Sequence, residues 1–168
     1  MKSIADDVRL NLVLVEPEIP PNTGNIARLC AATRTRLHLI EPLGFRLDDS
    51  TLKRAGMDYW ARVDWRTWRD WVEFRAQVPR ESRVWYIESG GPRRYIDAEF
   101  SPGDYLVFGR ETLGLPRSIV ESDPDHWLRI PMMDPESRSL NLSNCAAIVL
   151  YEALRQTGFM GLSGPAGS

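Results

Sequence analysis

LNLVLVEPEIPPNTGNIARLCAAT, at residues 10–33, decides the fold. Leu10–Val15 is a short run of apolar and β-branched residues, the composition of a buried strand. Pro17, Pro20 and Pro21 stop it and force a loop. Asn22 or Thr23 can then cap a helix in which Ile26, Leu29, Cys30 and Thr33 fall at i, i+3, i+4 and i+7. A second strand, Leu37–Ile40, ends at Glu41-Pro42.

Downstream, Ser50–Ala55 reads as a short helix and Trp60–Val63 as a short strand. Trp65, Trp68, Trp71 and Val72 form a helical stripe running through Phe74. Val84–Ile87 (VWYI), Tyr105–Phe108 (YLVF) and Trp127–Ile130 (WLRI) are three further strands. Pro116 suits the first turn of a short helix through Glu121. The last helix is capped by Ser143, carries Ala146, Val149, Leu150, Ala153 and Leu154 on its apolar face, and stops at Gly158. This alternation predicts an α/β fold, a mainly parallel sheet with flanking helices. Ligands of such sheets sit outside the carboxyl ends of the strands. The loops beginning at Glu16, Glu88, Gly109 and Pro131 therefore share one functional rim.

Composition narrows the class. The 168 residues are 43% hydrophobic and 26% charged, which excludes a mainly disordered chain. One domain over 10–159 is expected, between a leader at 1–9 and a small, polar tail at 160–168. No apolar run reaches the ~18 residues of a membrane span, and no export signal is legible, so a soluble cytoplasmic protein is expected. Lys+Arg 21 against Asp+Glu 23 gives a net charge of −2, which neither requires nor excludes an RNA partner. Cys30 and Cys145 are too few for a disulfide framework or a zinc knuckle. They lie in helical patterns beside apolar neighbours and read as inert. His38 and His126 are the only histidines, which leaves little scope for metal ligation. The six tryptophans read chiefly as packing.

Three segments carry chemistry. The first, Asn22-Thr23-Gly24-Asn25-Ile26-Ala27-Arg28, opens a helix, whose free N–H groups and positive dipole end suit a phosphate or polar ligand. Asn25 and Arg28 share a helix face turned from the core; the plainer reading is a cap and a solvated arginine. The second, Phe108 to Pro116 (FGRETLGLP), follows a strand. Its glycines let backbone approach a flat ligand, and Glu111 can accept amine or hydroxyl hydrogen bonds; a structural turn is the alternative. It is neither a phosphate P-loop nor the dinucleotide glycine pattern, which disfavours a nucleotide-dependent oxidoreductase. The third, Arg138-Ser139-Leu140-Asn141-Leu142-Ser143-Asn144, alternates polar and apolar residues into the last helix. Ser139, Asn141 and Ser143 would face one way, gripping a polar ligand or only capping the helix.

In this order, the three segments resemble the knotted methyltransferases of the SPOUT superfamily. The likeness is greatest to the tRNA (cytidine/uridine-34) 2′-O-methyltransferase family. It rests on EPEIPPNTGNIARLCAAT at 16–33, LHLIEPLGF at 37–45, LKRAGMDYW at 52–60, GDYLVFGRETLGLP at 103–116 and RIPMMDPESRSLNLSNCAAIVLYEALRQTGF at 129–159. The resemblance implies a C-terminal trefoil knot and a homodimer with the active site near the subunit interface. It implies methyl transfer from S-adenosylmethionine, with no metal, to the ribose 2′-hydroxyl of the wobble nucleotide in the anticodon stem-loop of tRNA, tRNA-Leu in particular. Ile87, Gly109, Glu111, Ile130, Ser139 and Leu140 would bind the cofactor. Arg28, Asn25, Ser143 and Asn144 match the catalytic positions, and Arg28 and Tyr151 the substrate-binding ones. A free guanidinium, with a pKa above ~12, is a poor base, so Arg28 suits phosphate binding and orientation of the hydroxyl. Other acceptors, at a different tRNA or rRNA position, and a non-catalytic RNA-binding or assembly role are the alternatives. Two departures stand out. Arg34 occupies a position commonly Gly, where a left-handed backbone would be strained, so a different turn is expected. The Trp- and Arg-rich stretch 64–83 matches little.

Overall fold

The computed structural model describes residues 8–48, 50 and 57–160. Among these, seven strands form one sheet in the order β3-β2-β1-β6-β4-β7-β5, and every strand pair is parallel. The strands are β1 Asn11–Val15, β2 Arg36–Ile40, β3 Trp65–Trp68, β4 Val84–Ile87, β5 Arg93–Arg94, β6 Tyr105–Phe108 and β7 Trp127–Arg129. Helices α1 Pro20–Thr33, α2 Trp71–Gln77, α3 Arg117–Val120 and α4 Leu142–Gln156 flank it. The α/β class and parallel sheet expected from the sequence are observed.

The central strands are apolar throughout because both faces are covered. Leu12 and Leu14 of β1 and Leu106 and Phe108 of β6 join Ile26 of α1 and Val149 of α4 in one core. The alternating residues Val13, Val15, Tyr105 and Val107 pack on the opposite face with Phe74 of α2 and Val120 of α3. All five residues predicted for the apolar face of α4 are buried. Gly158, with φ +69°, follows the end of that helix.

Several local expectations need correction. Helix α1 begins at Pro20, with Ile19 as N-cap, so Asn22 and Thr23 lie inside its first turn. Proline fits there because its ring presets φ and it lacks an N–H that would be left unpaired. Helix α4 is capped by Asn141, not Ser143: the Asn141 Oδ1 accepts the amides of Ser143 and Asn144. Trp60–Val63 is not a strand; Met57–Arg62 forms a 3₁₀ turn. Trp65–Trp68 is an edge strand paired with β2, not helix. The helix starts only after Asp70, whose carboxylate caps the Glu73 amide at 2.8 Å. Arg34 adopts the left-handed turn after all, at φ 54° and ψ 30°, at a cost of roughly 1–2 kcal/mol for a side chain with a Cβ. The predicted helix Ser50–Ala55 lies outside the described residues except for Ser50, as do the leader and tail apart from 8–9 and 160.

His38 is buried beneath the β2–β3 edge. Its Nε2–H donates to Asn11 Oδ1 at 3.1 Å, and its Nδ1 accepts from Trp68 Nε1–H at 3.0 Å. Asn11 Nδ2 faces carbonyls of Arg9, Gly103 and Asp104, which fixes the amide orientation and hence the neutral imidazole tautomer. Burial, reinforced by the Arg36 and Arg66 guanidiniums, lowers its pKa to about 3.

Candidate functional site

The carboxyl ends of β1, β4, β6 and β7 converge as the alternation required. Their loops and the entrance to α4 enclose a cavity of about 650 Å³, within the ~300–1,000 Å³ range of small-molecule sites.

The loop after β6 is clamped onto the loop after β1. Arg110 Nη2 donates to Glu16 Oε2 at 2.7 Å, and Thr112 Oγ1 donates to Glu18 Oε1 at 2.7 Å. The Glu111 carboxylate accepts the Glu18 amide at 2.9 Å, the Ile19 amide at 3.0 Å and Asn22 Nδ2 at 3.4 Å. Glu111 therefore supplies from afar the anion that the first turn of α1 lacks. From the other side, Asn141 Nδ2 donates to Asn22 Oδ1 at 2.9 Å. The three segments singled out in the sequence meet at Asn22.

Glycine is required where the loop after β6 doubles back. Arg110 and Gly114 exchange backbone hydrogen bonds. A Cβ on Gly109 would lie 2.2 Å from the Gly114 carbonyl carbon. Gly114 has φ +65°, and the space beside it holds the Glu88 carboxylate. Glu88 Oε2 accepts the Leu115 amide at 2.6 Å, and Oε1 accepts the Ser89 amide and hydroxyl at 3.0 Å. Glu88 thus ties the end of β4 to the loop after β6.

Ile87, Gly109, Glu111, Ile130, Ser139 and Leu140, the six expected cofactor residues, all line this cavity. The other four catalytic candidates and Tyr151 are not among its lining residues. Asn25 and Arg28 are exposed on α1, beyond the lining residue Asn22. Arg28 lies over the Tyr59 ring, 5.3 Å from its centroid. Ser143 donates from Oγ to Asn141 Oδ1 at 2.5 Å, so Ser139 and Asn141 face the cavity while Ser143 braces the cap. Asn144 is exposed in the first turn of α4, and Tyr151 farther along that helix packs against Phe159.

Sequence reasoning missed the contribution of Glu88, treated only as the start of a loop. The available signal was a carboxylate directly after a fully apolar strand on the ligand-bearing rim. Cys145 also lines the cavity; burial raises its thiol pKa and keeps it protonated, as burial does more strongly for Cys30. Among the described residues no three His, Cys, Asp or Glu side chains cluster to hold a metal ion. No helix among them is long and apolar enough to cross a membrane.

The donor set suits S-adenosylmethionine. Ile87, Phe108 and Ile130 offer apolar surface to a flat base, and the bare backbone at Gly109 permits close approach. Ser139 presents a neutral hydroxyl to the polar groups of the ligand, on a wall shared with Asn141 and Ser89, which are bonded to Asn22 and Glu88.

Comparison with known proteins shows the family. The model of the SpoU rRNA Methylase family matches residues 9–151. A tRNA (cytidine(34)-2′-O)-methyltransferase of Burkholderia pseudomallei is 53% identical over 153 residues, covering 90% of this chain and 97% of that one. A solved structure described as giving structural insights into the 2-OH methylation of C/U34 on tRNA superposes with a TM-score of 0.84 at 47% identity, covering 88% of this chain and 95% of the other. The SpoU methyltransferase AviRb from Streptomyces viridochromogenes, in complex with AdoMet, matches with a TM-score of 0.74 at 27% identity, covering 89% of this chain and 61% of that one. The chain belongs to the SpoU rRNA methylase family and, within it, to the tRNA (cytidine(34)-2′-O)-methyltransferases.

Proposed function

We propose that this protein transfers a methyl group from S-adenosylmethionine to the ribose 2′-hydroxyl of the wobble nucleotide of tRNA, cytidine or modified uridine 34. The observation that carries the reading is the convergence of four separate loops on one cavity lined also by Asn22 of α1, the helix bearing Asn25 and Arg28.

In this reading Ile87, Gly109, Ile130, Ser139 and Leu140 hold the cofactor, and Glu111 keeps their loop seated on α1. Bound S-adenosylmethionine supplies a methyl group on a sulfonium centre. Arg28, permanently cationic, binds the phosphate beside the target ribose and orients its 2′-hydroxyl. Asn25, Ser143 and Asn144 position the sugar, and Tyr151 contacts the RNA. The 2′-oxygen would gain the methyl group as the bond between that methyl and the sulfonium sulfur breaks, leaving a neutral thioether, and the hydroxyl proton would pass to the neighbouring phosphate. Most of the acceleration comes from alignment of the two reactants. The 2′-hydroxyl also distinguishes RNA from DNA at the site.

The same reading takes residues 10–159 as the catalytic unit, with a trefoil knot in its C-terminal part, acting in the cytoplasm as a homodimer. The anticodon stem-loop is the recognised element, with tRNA-Leu as the expected isoacceptor. A small domain covers little of an anticodon arm by itself, which favours two copies acting together.

Arg28→Ala tests the catalytic assignment. Calorimetry should show cofactor affinity within about twofold of wild type, because Arg28 is not among the residues lining the cavity, while methyl transfer to tRNA is lost. Wild-type turnover in Arg28→Ala would remove Arg28 from the reaction. A wild-type protein that binds RNA and cofactor without turnover would identify a non-catalytic binding protein.

A further inference from the structure

Arg28 does not stand alone on its surface. Tyr59 and Arg62 belong to the 3₁₀ turn Met57–Arg62, where residues three apart eclipse one another. The Arg62 guanidinium carbon lies 5.1 Å from the Tyr59 ring centroid, and that of Arg28 lies 5.3 Å from the same centroid. One ring therefore contacts two cations, one from α1 and one from the 3₁₀ turn. Trp60, between them in sequence, packs against the core that includes α1, which fixes the turn beside that helix.

Like charges gathered around one ring disfavour each other unless something neutralises them. Several other arginines are neutralised by carboxylates: Arg36 by Asp64, Arg94 by Asp97, Arg110 by Glu16 and Arg155 by Glu152. Among the described residues neither Arg28 nor Arg62 has such a partner, and both side chains are exposed. The tyrosine face offsets part of the repulsion through cation–π attraction. It also leaves the outer N–H groups of both guanidiniums available for an anion with more than one charged group. A single-stranded RNA backbone has that chemistry.

We infer that Arg62 is a second phosphate-binding residue of the substrate site, and that Tyr59 is the positioning residue that holds Arg28 and Arg62 in register for adjacent phosphates of the RNA strand. The inference rests on the proposed RNA-methylating function. It adds a residue outside the three segments and gives the 3₁₀ turn a role in substrate binding.

The test measures binding of a fluorescent anticodon stem-loop RNA as a function of salt. Each lost phosphate contact on a single strand reduces the slope of log K against log salt by about 0.7. Arg62→Ala should show that reduction and bind up to about fivefold more weakly at moderate salt, raising KM more than it lowers kcat. Arg62→Lys should restore most of the slope, since the charge remains. Tyr59→Phe should behave as wild type, whereas Tyr59→Leu should lower both slope and kcat. Arg62→Ala with the wild-type slope and affinity would overturn the inference and leave a surface cation–π pair without an RNA role. Failure of the underlying function is read separately. A wild-type protein that binds the RNA, shows the Arg62 slope change and methylates no nucleotide 34 would refute that function while leaving the phosphate site standing.

Discussion

The Asn141 side-chain amide donates to the Asn22 carbonyl oxygen at 2.9 Å, joining the entrance of α4 to the first turn of α1 across 119 residues of sequence. The same Asn141 caps α4 through its Oδ1. One side chain therefore both ends a loop and closes the cavity.

Asn141→Ala removes the cap acceptor and the link to Asn22. Lost caps cost about 0.5–2 kcal/mol and a partly buried neutral hydrogen bond about 0.5–1.5 kcal/mol. Urea unfolding should show a total loss of about 1–3 kcal/mol, with a smaller loss for Asn141→Asp, which keeps the acceptor. An unchanged midpoint in Asn141→Ala would mean that this junction adds no stability.

Gly109→Ala places a methyl group against the Gly114 and Leu115 backbone, at 2.2 and 2.3 Å. No flexible side chain can yield there, so the loop must shift at a cost of about 1–3 kcal/mol. Cofactor affinity by calorimetry should fall about tenfold or more. Wild-type affinity would show that the close backbone approach at Gly109 is unnecessary.

Glu88→Ala strips the buried Leu115 amide of its acceptor. An unsatisfied buried amide costs about 1–3 kcal/mol. Hydrogen exchange at Leu115 should accelerate selectively, with Glu88→Gln intermediate because it keeps one oxygen. Unchanged protection in Glu88→Ala would show that another acceptor serves the amide.

His38 sets an acid limb of stability. Its folded pKa of about 3 lies below the ordinary 6.5. The unfolded state therefore binds the extra proton first, and stability falls as pH drops from about 6.5 towards 3. The slope approaches ~1.4 kcal/mol per pH unit well inside that window. Burial raises the pKa of Asp64, but its bonds to Arg36 and Arg9 together outweigh that and lower it from 3.8, so its effect lies below that value. Urea midpoints at pH 7 and pH 5 should differ in wild type and much less in His38→Gln. An equal difference in both proteins would place the titrating group elsewhere.

Much of the architecture was legible because its signals are local. Leu12–Val15, Val84–Ile87 and Tyr105–Phe108 are apolar runs whose length and flanks suit only buried strands here, and the α4 stripe has one clear period. Trp65 and Trp68 misled because spacing by three marks a helix face, whereas an edge strand tolerates the same tryptophans with one side in solvent; Trp71, Val72 and Phe74 of the same stripe do lie in a helix. Asp70, with Glu73 three residues on, was the overlooked sign that a helix starts there. The cavity residues were found through motif resemblance and through the rule that ligands gather at strand carboxyl ends. Their mutual support was not legible: that Glu111 holds the amides leading into α1, that Glu88 fills the space beside Gly114, and that Arg62 shares a ring with Arg28 depend on contacts between distant segments.

The most direct test of the account is the position of the transferred methyl group. Purified protein, total tRNA and methyl-labelled S-adenosylmethionine should yield label confined to the ribose 2′-oxygen of nucleotide 34, located by nuclease digestion and mass spectrometry. Label on a base, or on the ribose of any other nucleotide, would contradict it.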